Sequence, residues 1–158
     1  MRNMICFDMD GTIADLYGVD NWLDHLLHEN TYPYSHARPM WNMEKLNEVL
    51  MLLSKEGWEI RIISWLAKDS TPEYKHAVAR AKKEWLDKFD FPASHFHFVR
   101  YGATKADSVR AACSGGRAIL IDDNEKVRKG WHLGETIDPT VVEDLAEFLA
   151  QYLEEKEV

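Results

Sequence analysis

Phe7-Asp8-Met9-Asp10-Gly11-Thr12 closes the apolar run Met4-Ile5-Cys6-Phe7. Apolar residues that stop at two acids and a glycine read as a buried strand, residues 4–8, ending at a functional edge. Side chains alternate along a strand, so Asp8 and Asp10 project to one side and repel each other unless a cation lies near. Hard divalent cations such as Mg2+ take oxygen ligands of this kind. Asp-Gly is also an ordinary turn signal, so the rest of the chain decides between the two readings.

Beyond a mixed stretch at 12–17 that reads as a turn, Val19, Trp22, Leu23, Leu26 and Leu27 predict a short helix over 19–28. Residues 30–39, with two prolines, read as a loop. Met43, Leu46, Val49, Leu50 and Leu53 share a face of a helix over 43–55, which Gly57 stops. A second buried strand, 58–64, ends at Ser64. Thr71-Pro72 then opens a helix to about residue 89, with a capping hydroxyl and a proline at its first position. Its inward stripe is Tyr74, Ala77, Val78, Ala81, Trp85 and Phe89; Lys75, Lys82, Lys83 and Lys88 read as a solvated face. A strand at 95–100 and a helix at 105–113 follow. The strand at 117–121 runs into Asp122-Asp123, and a short helix starts after Asn124. An edge strand at 136–137 and an amphipathic helix at 141–155 complete the chain. Nothing repeats and nothing is linker-like. Strands alternating with helices predict one α/β domain over 1–158, a parallel sheet covered on both faces.

At 158 residues the chain is long enough to bury a full core. A net charge of −8 makes nucleic acid an unlikely partner, because phosphate backbones attract basic faces; a small anionic substrate stays compatible with a locally positive site. Cys6 and Cys113 have neither metal-cluster nor disulfide-framework spacing. Too few apolar residues follow Met1-Arg2-Asn3 for a signal peptide, and no run reaches membrane-spanning length, so a cytoplasmic location is expected, with no membrane partner. His95 and His97 alternate on a strand without a nearby acid and read as edge packing, while His25 and His28 read as surface residues.

Three apolar strands thus end in polar residues: Asp8 with Asp10, Ser64, and Asp122 with Asp123. In open parallel sheets the ligand site lies beyond the carboxyl ends of the strands. Lys105, opening a helix after the third strand, adds a cation beside that helix's amide donors. Acids for a metal, a hydroxyl, a lysine and free N–H groups make a site for a phosphate.

In this order, Asp8-Met9-Asp10-Gly11-Thr12, Ser64, Lys105 and Asp122-Asp123 resemble the four motifs of the haloacid dehalogenase (HAD) superfamily, over residues 4–123. The resemblance implies a three-layer Rossmann-like fold and a Mg2+-dependent phosphomonoesterase acting through an aspartyl phosphate. It implies Asp8 as nucleophile and Asp10 as acid and base. Mg2+ would sit on the Asp8 carboxylate, the Asp10 carbonyl and Asp122, with Asp123 behind. Ser64, Lys105 and the N–H groups of Met9 and Asp10 would hold the phosphoryl oxygens, and Thr12 would orient Asp10.

In this superfamily an inserted cap sets specificity. Residues 15–41 leave room only for a small cap-like insertion, and 64–95 only for one long helix. The opening motif and aromatic-rich insertion loosely resemble the 5'(3')-deoxyribonucleotidases, whose insertion is longer. Tyr17, Trp22, Tyr32, Tyr34, Trp41 and Trp65 are candidates to stack on a ring, and Arg38 to bind a second anionic group. A small phosphorylated metabolite, with a deoxynucleotide as the named candidate, is the expected substrate. The alternatives are a macromolecular phosphate end, or a non-catalytic phosphate-binding or regulatory HAD-like protein. A receiver-type signalling module also uses paired acids, a phosphorylated Asp and a Lys, but in a different chain order.

Overall fold

Burial in β1 (Met4–Phe7) is complete on both faces, as a central strand of a parallel sheet requires. The computed structural model describes residues 2–154. After β1 come β2 (Ala14–Asp15), a 3-10 turn at Leu16–Gly18, α1 (Trp22–Leu27), α2 (Tyr32–His36) and β3 (Arg38–Pro39). The body resumes with α3 (Met43–Lys55), β4 (Glu59–Trp65), α4 (Pro72–Lys88) and β5 (His95–Val99). A 3-10 turn at Lys105–Ser108 leads to α5 (Arg110–Cys113), β6 (Ala118–Ile121), α6 (Glu125–Lys129), β7 (Thr136–Ile137) and α7 (Leu145–Glu154).

The main sheet has the order β5-β4-β1-β6-β7, and every pairing is parallel. The chain builds outward on one side of β1, then crosses to the other, so strand order reverses beside β1. Alternation divides the core. Ile5, Phe7, Ile60, Ile62, Ile119 and Ile121 pack against α3, α7 and the second half of α4; Met4, Cys6, Ile63, Ala118 and Leu120 pack against α5 and Trp131. The α/β fold with helices on both faces is the one the alternating pattern predicts.

Helix ends follow local chemistry. Asn42 accepts the Lys45 N–H at 3.1 Å, Thr71 the Tyr74 N–H at 3.2 Å and Asn124 the Val127 N–H at 3.2 Å, each relieving an unpaired donor of a first turn.

Four expectations need correction. Residues 30–39 are not a plain loop: Pro33 falls in the first turn of α2, where a missing N–H costs nothing, and Arg38 and Pro39 pair antiparallel with Asp15 and Ala14. The helix expected over 19–28 begins only at Trp22, because Asn21 is left-handed at φ 58°. The helix expected over 105–113 splits at Val109, and its second part ends at left-handed Ser114. The last helix starts at Leu145, after a 3-10 turn over Pro139–Val141 and an extended Val142, with the Asp144 carboxylate accepting the Glu147 N–H; its expected final residue, Glu155, lies outside the described residues.

The segment 15–41 forms its own small cluster: Leu16 and Tyr34, with Trp22 and Leu26 packed against it, meet Ala67, Tyr74, Val78 and Ala81. Tyr74 donates to the Asn30 carbonyl at 2.9 Å and Trp85 to the Ala37 carbonyl at 2.8 Å, so α4 fastens the insertion to the body. No helix among the described residues is long and apolar enough to cross a membrane. Cys6 and Cys113 are buried free thiols.

Candidate active site

Strand parity carries the residues of the first and last motifs to a common point. Asp8 continues the Met4–Cys6 side of β1 and Asp122 the Ala118–Leu120 side of β6, both facing the α5 layer. Lys105 comes from that layer. Its ammonium lies 2.9 Å from Asp8 Oδ1 and 2.7 Å from Asp122 Oδ2, with all three side chains buried. Burial alone would lower the lysine's pKa, but the two carboxylates outweigh it and hold the group above its ordinary value.

Asp123 completes a triad. One carboxylate oxygen from each of Asp8, Asp122 and Asp123 can be chosen so that all lie within 4.8 Å of one another. Burial and then the Asp8 charge push Asp122 up to about 6. Burial, a hydrogen bond with Asp8 and its charge push Asp123 up to about 7. Acids buried and crowded this way hold protons tightly, since water is withheld and like charges repel. Three hard oxygen donors in a buried, electron-rich cluster fit Mg2+.

Thr12 stands elsewhere than expected. Its hydroxyl donates to Asp8 Oδ2 at 2.9 Å and accepts the Asp123 N–H at 3.2 Å, so it orients the first acid and the last, not Asp10. The turn that places it is tight: the Met9 carbonyl accepts the N–H groups of Thr12, Ile13 and Ala14, each at 3.0 Å. Gly11 sits at φ +80°, and a Cβ there would meet Asp123 Oδ2 at 2.4 Å. Among the described residues the N–H groups of Met9 and Asp10 have no protein acceptor, while the Met9 side chain is buried in the core.

Asp10 is held from the opposite layer. Lys82 is not on a solvated face; it is fully buried. Its ammonium lies 2.9 Å from Asp10 Oδ2, 2.7 Å from Ser64 Oγ and 2.7 Å from the Trp65 carbonyl. The physical reason is helical phase: Lys82 follows Val78 by four residues and precedes Trp85 by three, which puts it on the inward stripe. Burial raises the Asp10 pKa, the Lys82 charge opposes that, and the Asp8 charge adds to it. Ser64 is fully buried beside Lys82 and is not among the residues lining the cavity.

That cavity has a volume of about 320 Å³, with Asp8, Asp10, Asp122, Asp123 and Lys105 among its lining. Of the specificity candidates, Tyr17, Trp22, Tyr34 and Trp65 line it. The other three do not. Tyr32 stacks between His25 and His36 on the outside, Arg38 is exposed on β3, and the Trp41 indole donates to the Thr12 carbonyl at 2.7 Å. Tyr101 and Lys68 belong to the wall and were not expected there. The Tyr101 ring lies 4.9 Å from that of Trp65, with the Lys68 ammonium 5.6 Å above it. Tyr101 follows the carboxyl end of β5, so the strand-end rule would have reached it. His95 and His97 sit on edge strand β5, and His97 Nε2 is 3.1 Å from Arg61.

No family model matches the sequence, and no curated protein matches it. Among solved structures, the chain is similar to one from the Pnkp1/Rnl/Hen1 RNA repair complex, with a TM-score of 0.58 and 16% identity over 86% of this chain. It spans 41% of that longer chain. A weaker likeness, TM-score 0.45 and 12% identity, links it to the D,D-heptose 1,7-bisphosphate phosphatase of Burkholderia thailandensis over 96% of this chain and 99% of that one. The stronger likeness is one of fold: an α/β sheet of this architecture recurs in a larger chain of an RNA repair complex.

Proposed function

We propose that the protein is a Mg2+-dependent phosphomonoesterase of HAD type. The observation that carries this reading is the Asp8–Asp122–Asp123 triad, with Lys105 between Asp8 and Asp122, at the carboxyl ends of β1 and β6 where strand order reverses. With all groups ionised, the three triad carboxylates outnumber the one ammonium among them, Lys105, by two, a deficit that a divalent cation matches. Asp8, Asp122 and Asp123, with the Asp10 carbonyl, are the residues to hold Mg2+. When bound, it supplies the positive charge that lets an anionic phosphate approach a carboxylate.

The chain's own groups account for the rest. Asp8 attacks phosphorus through a carboxylate oxygen, and the bond from phosphorus to the ester oxygen breaks as Asp10 donates its proton to that oxygen. Asp10 then takes a proton from water, which attacks the aspartyl phosphate and releases phosphate, restoring Asp8. Lys105 and the N–H groups of Met9 and Asp10 are the donors to the phosphoryl oxygens, where charge redistributes during transfer, while Ser64, buried off the cavity, is an acceptor for Lys82. The aromatic wall of Tyr17, Trp22, Tyr34, Trp65 and Tyr101 favours a small phosphorylated metabolite with a flat ring, a deoxynucleotide being the first candidate.

A panel of nucleoside monophosphates, sugar phosphates, phosphorylated peptides and phosphorylated oligonucleotide ends, assayed with Mg2+ and with EDTA, tests the reading. Hydrolysis of a nucleoside monophosphate that EDTA silences and Asp8→Asn abolishes is expected. Chelator-insensitive hydrolysis would remove the metal from the reaction. Phosphate binding without turnover across the panel would make the protein a phosphate-binding module.

A further inference from the structure

We propose that Lys82 is a positioning residue for the proton-transfer arm of the site, orienting the Asp10 carboxylate and the Ser64 hydroxyl from beneath. This rests on the phosphomonoesterase reading and assigns a second lysine a task separate from that of Lys105. A buried ammonium is strongly unfavourable unless all its hydrogens find acceptors. An ammonium has three donors, and Lys82 meets three acceptors at 2.7–2.9 Å: Asp10 Oδ2, Ser64 Oγ and the Trp65 carbonyl. None of the three lies on α4. Two come from the end of β4 and one from the loop after β1, so the helix lends its charge entirely to the rim of the sheet.

Strand parity explains why two lysines are needed. Ser64 follows Ile60 and Ile62 toward the α4 layer, whereas Asp8 and Asp122 face the α5 layer, from which Lys105 reaches them. One cation cannot serve both faces of a sheet. Lys82 fixes one Asp10 oxygen and leaves Oδ1 without a hydrogen bond among the described residues, in a side chain that lines the cavity. Because an ammonium only donates, Ser64 Oγ must accept from it, which leaves the hydroxyl's own hydrogen to be donated elsewhere. The Tyr34 ring, 5.2 Å from the ammonium, closes the remaining side.

In forming the aspartyl phosphate, the part of the reaction that kcat/KM reads, a residue that aims the proton donor matters only where the leaving oxygen must be protonated. Lys82→Met removes the charge and keeps most of the volume. With Mg2+ present, its kcat/KM on n-butyl phosphate, whose leaving oxygen needs a proton, is expected to fall about a hundredfold, the size of a general-acid contribution. On dinitrophenyl phosphate, whose leaving group departs as an anion, the fall is expected to stay within about threefold. In an Asp10→Asn background the same substitution should add nothing on the butyl ester. Lys82→Gln, which keeps two N–H donors, is the second variant should the methionine fail to fold, with the same split expected. Equal losses on both esters, or none on either, would overturn the assignment while leaving the phosphatase reading intact. Wild-type protein that hydrolyses neither ester nor any monoester of the panel would overturn both.

Discussion

The Lys105 ammonium lies 2.7 Å from Asp122 Oδ2 at the same time as it contacts Asp8, so the ends of β1 and β6 are joined through one buried cation. Removing it with Lys105→Met leaves buried carboxylates facing one another, a loss of about 3–5 kcal/mol for a broken buried pair. The variant should melt well below wild type without metal, and added Mg2+ should restore more stability to it than to wild type. Equal Mg2+ responses in thermal melts would disconnect the lysine from the metal-binding acids.

Gly11 is required twice over, by its φ of +80° and by the Asp123 carboxylate in the space a Cβ would take. Gly11→Ala should cost about 1–2 kcal/mol through the left-handed backbone alone. It should also raise the Mg2+ concentration needed for half-maximal activity, because Asp123 must move away. A stability loss with unchanged Mg2+ dependence would limit the glycine to a turn role.

The metal-free protein should be sensitive to pH in an unusual direction. Asp122 and Asp123 have folded pKa values raised to about 6 and about 7 from 3.8. A raised acid binds its proton more tightly in the fold, so its contribution is fully present below about pH 4 and lost as pH rises toward 7. Mg2+ replaces those protons, so the gain in melting temperature on adding it should grow from pH 5 to pH 8. At about a hundred times its dissociation constant the cation adds about 2.7 kcal/mol. A metal effect that is flat with pH would place the ion on other ligands.

Tyr101 is half exposed and packs on Trp65, so Tyr101→Ala should leave stability within about 0.5 kcal/mol. Loss of one aromatic contact is worth about 0.5–1.5 kcal/mol, roughly two- to twelvefold. That factor should appear in KM for nucleoside monophosphates and be absent for ribose phosphate. The same change for both substrates would mean that the wall does not select a ring.

Much of this architecture was legible in the chain because it rests on short-range chemistry. The unbroken apolar runs Met4–Phe7 and Ala118–Ile121, the Thr71-Pro72 helix start and the order of acids at strand ends are all local patterns that the backbone period converts directly into layers. Strand ends in a parallel sheet converge whatever lies between them, which is why Asp8, Lys105 and Asp122 could be associated across more than a hundred residues. Which groups face each other there depends on how distant segments pack. Thr12 serves Asp8 and Asp123 because the Met9 turn swings it away from Asp10. Tyr32, Arg38 and Trp41 miss the cavity because α2 and the β2–β3 pairing turn them elsewhere. Lys82 looked like one solvated lysine among four until its acceptors, supplied by two other segments, made a buried charge tolerable. Periodicity reports which side of an element a residue occupies; the partner waiting on that side is set by segments far away in the chain.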